Sequence, residues 1–268
     1  MGSSIYLRGG AMNIYGKLFI KQKYSNFYHR YAFLKYFPSS RGAKFRSLYL
    51  NSKNEYFNVI CEGFNIKFSH YPYQDSIPVC GYLKEFDIRR GDVVVDGGAY
   101  QGVFALVASK MVGDEGKVIA FEPDSGNYKK LVENITLNDV KNIIPLNKGL
   151  WYEDSILKFN NANNETSSFI FDDVDTARDV PVVSLDNELK RLNINNLDFL
   201  KLDVEGVELE VVEGSNSVLN ENNVKVAIAS YHIVNGQRTF VQLEKALLNR
   251  GYSTKTDFPE HLTTYASK

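Results

Sequence analysis

The stretch Val93-Val-Val-Asp-Gly-Gly-Ala-Tyr-Gln-Gly-Val-Phe104 constrains the fold more than any other. Val93 to Val95 are β-branched and apolar on both faces, which suits a central strand covered from both sides. Asp96 closes that strand. Gly97, Gly98 and Gly102 bracket a tight turn, where a missing Cβ lets the backbone approach a ligand closely. From Val103 the apolar residues recur at helical spacing through Met111. A strand, a glycine turn and a helix can serve several nucleotides, so the downstream sequence must decide which.

Downstream, strands and helices alternate. Strands are predicted at 116–122, 143–147, 198–203 and 224–231. Helices are predicted from an Asp124 cap to Asn138, from Ser184 to Leu192, over 207–219 with a break near Gly214, and over 239–249. Residues 252–256 and 262–265 read as a closing pair of strands, and 155–184 as short strand-like pieces at 156–159, 168–171 and 180–183 around an Asn-rich loop. Upstream, 56–68 reads as a β-hairpin turning at Glu62-Gly63, and 78–88 as a short helix. This order implies a doubly wound α/β sheet with the ligand at the C-terminal strand ends. The boundaries drawn are 1–54 for a basic aromatic helical extension, 55–90 for hairpin and helix, and 91–268 for the catalytic domain.

Asp96, Glu122 and Asp203 each end a strand. Right-handed crossovers bring those ends to one edge of the sheet. Such acids can be helix caps, but Glu122 also stands where a carboxylate accepts from both hydroxyls of a ribose, 26 positions after Asp96. A dinucleotide wants G-x-G-x-x-G at a helix N-terminus, facing phosphate charge. This chain has Asp96-x-Gly98-x-x-x-Gly102 and no G-K-[ST]. Asp96 would repel phosphate and suit the amino group of a methionine moiety, so the site favours S-adenosyl-L-methionine over a nicotinamide cofactor or ATP.

Five segments then carry a family resemblance. They are Gly91 to Gly102, Ala120-Phe-Glu-Pro-Asp124, Asn147-Lys-Gly-Leu150, Val183-Ser-Leu-Asp186, and Phe199 to Glu208 with its Lys201-x-Asp203-x-Glu205-Gly206-x-Glu208 pattern. Residues 91–231 resemble the FkbM-type S-adenosylmethionine-dependent methyltransferases. The resemblance implies a Rossmann-like, mostly parallel, seven-stranded sheet whose last strand is antiparallel. It implies methyl transfer to hydroxyl oxygens of sugars, glycans, glycolipids or related natural products. Carried over by position, Asp96, Gly97, Gly98 and Gly102 hold the methionine end, Glu122 the ribose, and Asn147 and Lys148 the adenine edge. Tyr100 stands where the family commonly has Asn. Asp203, Glu205 and Lys201 would face the transferring methyl group or the acceptor.

A hydroxyl is a poor nucleophile, so a general base is expected among Asp203 and Glu205, then His232 at the end of the fifth strand. Glu208 reads as a helix N-terminal charge or ion-pair partner. Asp203, Glu205 and Glu208 could suit Mg²⁺, but no Asp or Asn ligand cluster appears at the fifth strand, and no metal is expected. The rivals are an RNA ribose methyltransferase, whose Lys/Asp/Glu sets Lys201, Asp203 and Glu205 resemble, and a cofactor-binding scaffold without chemistry.

Charge separates the chain into two parts. Residues 1–54 hold ten Lys and Arg and no acid. The other 21 of the 31 bases face all 32 acids, a net charge of −11. That body would repel a nucleic-acid backbone. In the arm, Ile20, Tyr24, Phe27, Tyr31 and Leu34 share one helical face. The arm reads as a helix packed on its own domain or on a second subunit of a homo-oligomer, as an amphipathic helix on an anionic membrane, or as a contact with nucleic acid. Met1 to Ser4 read as a leader, with Met12 an alternative start. Cys61 and Cys80 are too few for a disulfide framework and fit a reducing, cytoplasmic setting. No apolar run reaches 18 residues, and Tyr6 breaks the myristoylation pattern.

Overall fold

The computed structural model describes residues 47–50, 55–70, 76–160, 177–234 and 236–268. The helical face expected from Ile20 to Leu34 and the strand piece at 168–171 lie outside them. The chain divides into two compact units, 1–73 and 74–268.

In the first unit, β1 (Ser47–Leu50), β2 (Phe57–Cys61) and β3 (Phe64–Phe68) form an antiparallel sheet in that order. β2 and β3 are the expected hairpin, with Val59 opposite Ile66 and both buried. β1 extends the sheet beyond what the periodicity suggested.

The second unit opens with α1 (Ser76–Tyr82), earlier and shorter than the helix expected over 78–88. Tertiary contacts meet its last turn. The Tyr265 hydroxyl takes the Gly81 carbonyl at 2.6 Å, and a Cβ on Gly81 would meet the Phe258 ring at 2.8 Å.

There follow β4 (Val93–Gly97), α2 (Val103–Val112), β5 (Lys117–Phe121), α3 (Ser125–Leu137) and β6 (Ile143–Leu146). A side sheet comprises β7 (Gly149–Leu150), β8 (Ser155–Asn160) and β9 (Ala177–Val183), in the order β7-β9-β8. The chain returns through α4 (Leu185–Arg191), β10 (Phe199–Leu202), α5 (Glu208–Glu213), α6 (Asn216–Glu221) and β11 (Lys225–Ala229). The short hairpin β12 (Ile233–Val234) and β13 (Gln237–Arg238) precedes α7 (Phe240–Leu248), β14 (Ser253–Asp257), a 3₁₀ turn at Pro259–His261 and β15 (Thr263–Ser267).

The seven-stranded sheet runs β14-β15-β11-β10-β4-β5-β6. β15 runs antiparallel to both its neighbours, β14 and β11, and the pairs from β11 to β6 are parallel. Its central strands are buried on both faces: Val94, Val95, Ile119, Leu200, Leu202, Val226 and Ile228 sit in the core. The break between α5 and α6 falls at Gly214, where a Cβ would lie 2.1 Å from the Trp151 carbonyl oxygen. The strand order reverses at β4 and β10. Their parallel pairing brings the C-terminal ends of β5, β4, β10 and β11 to one edge, where an open α/β sheet holds its ligand.

Candidate active site

The glycine turn after β4 is tied down from two sides. Lys201 on β10 is paired in register with Asp96 on β4, so both side chains leave the same face. Its buried ammonium donates to Asp96 Oδ1 at 2.8 Å, to the Gly98 carbonyl at 2.8 Å and to the Gly97 carbonyl at 3.3 Å. Lys201 was expected to face the methyl group or acceptor. Instead it is the internal cation that holds the turn, because an unpaired buried Asp96 would be costly. Burial pushes the Asp96 carboxyl up, against the pull of Lys201. Gly98 has φ +74°, and a Cβ there would lie 1.9 Å from the Asp203 carbonyl oxygen. Cβ atoms on Gly97 and Gly102 would strike Leu202 at 2.7 Å and Leu131 at 2.4 Å, so protein packing also demands these glycines.

Glu122 follows β5. Its Oε2 accepts from the Tyr100 N–H at 2.7 Å and its Oε1 from the Asp124 N–H at 2.9 Å. Burial pushes its carboxyl up to about 7, an effect these two bonds only partly offset. Tyr100 has φ +51°, a left-handed conformation that Asn tolerates better than Tyr. The backbone of Tyr100, rather than an Asn side chain, thus serves the site. Asn147 Nδ2 donates to the carbonyls of Glu122 (2.8 Å) and Pro123 (3.2 Å), which steadies the loop after β5. Lys148, expected at the adenine edge, instead directs its ammonium to Glu188 on α4 at 2.7 Å.

Beside this turn lies a second constellation. Asp203, just past β10, accepts from the Tyr82 hydroxyl at Oδ2 (2.9 Å) and from the Tyr231 hydroxyl at Oδ1 (3.2 Å). His261 Nε2 is 3.7 Å from Oδ2, and His232 Nε2 is 3.8 Å from Oδ1. Burial alone would raise the Asp203 carboxyl, but His261, Lys201 and His232 outweigh it and hold the group well below the usual range.

Glu205 has φ +58° and is followed by Gly206 at φ +100°, a turn that projects the Glu205 carboxylate, 37% exposed, toward His232. Its Oε2 is 3.3 Å from His232 Nε2. Glu208, fully buried at the start of α5, accepts from the Gly206 N–H at 3.1 Å and the Val204 N–H at 3.3 Å, the helix N-terminal role expected of it. It also lies 2.9 Å from His232 Nδ1. Burial opposes charge on His232, but Glu205 and Glu208 push it up to about 10. Donor atoms of Asp203, Glu205 and His232 all lie within 4.8 Å of one another.

The sequence placed Asp203, Glu205 and His232 here correctly as neighbours, and missed Tyr82, Tyr231 and His261. Tyr231 precedes His232 at a strand end and could have been weighed with it. Tyr82 and His261 carry no local signal, because α1 and the turn before β15 reach Asp203 only through the fold. Their rings wall the cluster: Tyr231 lies 4.6 Å and Tyr82 5.4 Å from His261, centroid to centroid.

A model of the Methyltransferase FkbM domain family matches residues 96–254. The chain belongs to the FkbM methyltransferase family. Methyltransferase sdnD of Sordaria araneosa is 26% identical over 211 residues, 62% of this chain and 76% of that protein. The crystal structure of methyltransferase FkbM from Methylobacillus flagellatus KT superimposes with a TM-score of 0.55 at 18% identity. That match covers 70% of this chain and 47% of the other, so this chain spans about half of that relative's length. Aeropyrum pernix fibrillarin, crystallised with natively bound S-adenosyl-L-methionine, aligns over 83% of this chain and 98% of its own at 13% identity and a TM-score of 0.48.

This FkbM protein is an S-adenosylmethionine-dependent methyltransferase with the Rossmann-like fold of that class. The residues fit the cofactor. Asp96 Oδ2 is buried without a hydrogen-bond partner, as a receptor for the methionine ammonium would be. The two oxygens of Glu122, each fixed by one N–H, keep lone pairs for two ribose hydroxyls.

Proposed function

We propose that this FkbM methyltransferase methylates a hydroxyl oxygen of a sugar, glycan, glycolipid or related natural product. The carrying observation is the cluster of Asp203, Glu205 and His232 at the ends of β10 and β11, on the same sheet edge as Asp96 and Glu122. S-adenosylmethionine supplies an electrophilic methyl carbon. Asp96, Gly98 and Glu122 orient it, and most of the rate then comes from alignment with the acceptor oxygen.

The acceptor hydroxyl must lose its proton as its oxygen takes the methyl carbon. Both oxygens of Asp203 already accept from tyrosine hydroxyls, which suits an orienting role. Glu205 keeps its carboxylate open to solvent and is the residue placed to take that proton. The partly exposed rings of Tyr231 and His261 offer faces on which a sugar ring can rest, with the buried Tyr82 packed behind His261. The RNA alternative loses its catalytic lysine, since Lys201 is bound to Asp96 and two carbonyls. The ten bases of residues 1–54 support contact with an anionic surface carrying lipid-linked acceptors.

Incubation with methyl-labelled S-adenosylmethionine and either a glycan and glycolipid extract or total RNA tests this reading. Label is expected in the glycan fraction, and Glu205→Gln should slow its transfer by about 10²-fold or more at unchanged S-adenosylhomocysteine affinity. Label confined to RNA would overturn the acceptor class.

A further inference from the structure

We infer that Asp203, Glu205 and His232 form a binding site for a single divalent cation. Two carboxylate oxygens and one imidazole nitrogen converge from two different strand ends. His232 Nε2 lies 3.3 Å from Glu205 Oε2 and 3.8 Å from Asp203 Oδ1, and the three donor atoms lie within 4.8 Å of one another. Donors bound to one ion at about 2.1 Å stand about 3–4 Å apart, so modest contraction closes the set.

Acid clusters are common without an ion, and a second observation singles this one out. The His232 side chain is 10% exposed, and its Nε2, aimed at the two carboxylates, makes no hydrogen bond of acceptable geometry. The nitrogen is thus buried in ligand position and unsatisfied as a hydrogen-bond partner. Glu208 Oε1 stands 2.9 Å from the other ring nitrogen. A cation at Nε2 takes the place of the proton that the facing carboxylates favour on the ring, while Glu208 faces Nδ1 as the outer carboxylate does at many metal-bound histidines. Lys201, the nearby buried cation, is already engaged with Asp96. The expectation of no metal rested on finding no ligand cluster at the fifth strand, and His232 supplies a ligand from that strand end.

The imidazole makes a borderline cation such as Mn²⁺ or Zn²⁺ the fitting class, ahead of Ca²⁺ or Mg²⁺. Three protein ligands leave positions free on the exposed Glu205 side, where an acceptor oxygen could bind and its hydroxyl become more acidic. This role, but not the binding itself, rests on the proposed methyl transfer to a hydroxyl.

Mn²⁺ titrated into the 268-residue chain and followed by the loss of its free six-line electron paramagnetic resonance signal tests the site. One bound equivalent is expected, weakened about tenfold or more in Glu205→Gln and in His232→Gln. Calorimetric S-adenosylhomocysteine affinity equal to wild type establishes that each variant is folded. Absence of a tight equivalent, or wild-type binding by folded Glu205→Gln, would overturn the inference. Transfer to glycans without Mn²⁺ binding would remove the cation and leave the acceptor class standing. Mn²⁺ binding with label only in RNA would support the cation and remove the acceptor class.

Discussion

The two sides that we propose for the methyl donor and for the acceptor are built in different ways. The donor side consists of Asp96, the glycine turn, Glu122 and Asn147, within β4, β5, β6 and the loops that follow them. Its contacts run largely between side chain and backbone: Glu122 to two N–H groups, Asn147 to two carbonyls, Lys201 to two more. The acceptor side draws on Tyr82, Asp203, Glu205, Glu208, Tyr231, His232 and His261, from both ends of the second unit, and its contacts run mostly between side chains. A backbone-built site tolerates little change in its chain geometry. A side-chain-built site can change its chemistry by substitution while the sheet stays the same. One fold can therefore keep a fixed methyl donor and serve different acceptors.

Lys201 ties β10 to the turn on the donor side and offers the strongest way to break the comparison. Lys201→Met should lower stability by about 3–5 kcal/mol in urea unfolding, because Asp96 is left buried and unpaired. Adding Asp96→Asn should recover part of the loss. A change below about 1 kcal/mol for the single variant would mean that the pair does not tie the turn to β10.

Glu122 sharpens the donor side. With its carboxyl pushed up to about 7, it must lose a proton to receive both ribose hydroxyls as a carboxylate. S-adenosylhomocysteine affinity should therefore fall toward tenfold per unit as pH drops below about 7, and level off above about 8. Glu122→Gln should bind about tenfold to a hundredfold more weakly at high pH and lose this dependence. Stability of the ligand-free chain should move the other way. Between the ordinary value of 4.5 and about 7 the folded carboxyl keeps a proton that the unfolded one has lost, so Glu122 favours folding less as pH rises through that window. Calorimetry and thermal melts across pH 5 to 8 read the two trends separately.

Tyr82→Phe carries the smallest expected effect. It removes one of the two hydroxyl donors to Asp203 and leaves the ring against Phe104. A loss of about 0.5–1.5 kcal/mol, seen as a severalfold drop in methyl transfer with S-adenosylhomocysteine affinity unchanged, would place its action on the acceptor side alone. An equal drop in cofactor affinity would erase the boundary between the two sides.

The same contrast explains what could be read from the chain. Val93–Phe104 was legible because strand, turn and helix are contiguous, and Gly98 and Gly102 take the left-handed backbone that the turn requires, whereas the need for Gly97 comes from Leu202 on β10. Asp124 capping α3 and the closing strands were legible for the same reason. The break in the helix over 207–219 was legible as a break, but its cause, the Trp151 carbonyl against Gly214, was not. Lys201 was misplaced because motif spacing gives the face of a strand and not the partner waiting there. Lys148 was misplaced because Glu188 reaches it from α4, 40 residues on.

By itself the sequence determined the doubly wound sheet, the succession of its principal strands along the chain, the methyl donor and the acids at the strand ends. These follow from periodicity, turn chemistry and short-range spacing, which act between near neighbours in the chain. Only the tertiary structure decided that Lys201 neutralises Asp96, that Tyr82, Tyr231 and His261 surround Asp203, and that His232 meets three carboxylates. Those pairings depend on parallel strand register and on crossovers that bring distant segments together, and a buried charge takes whichever partner the register places within reach.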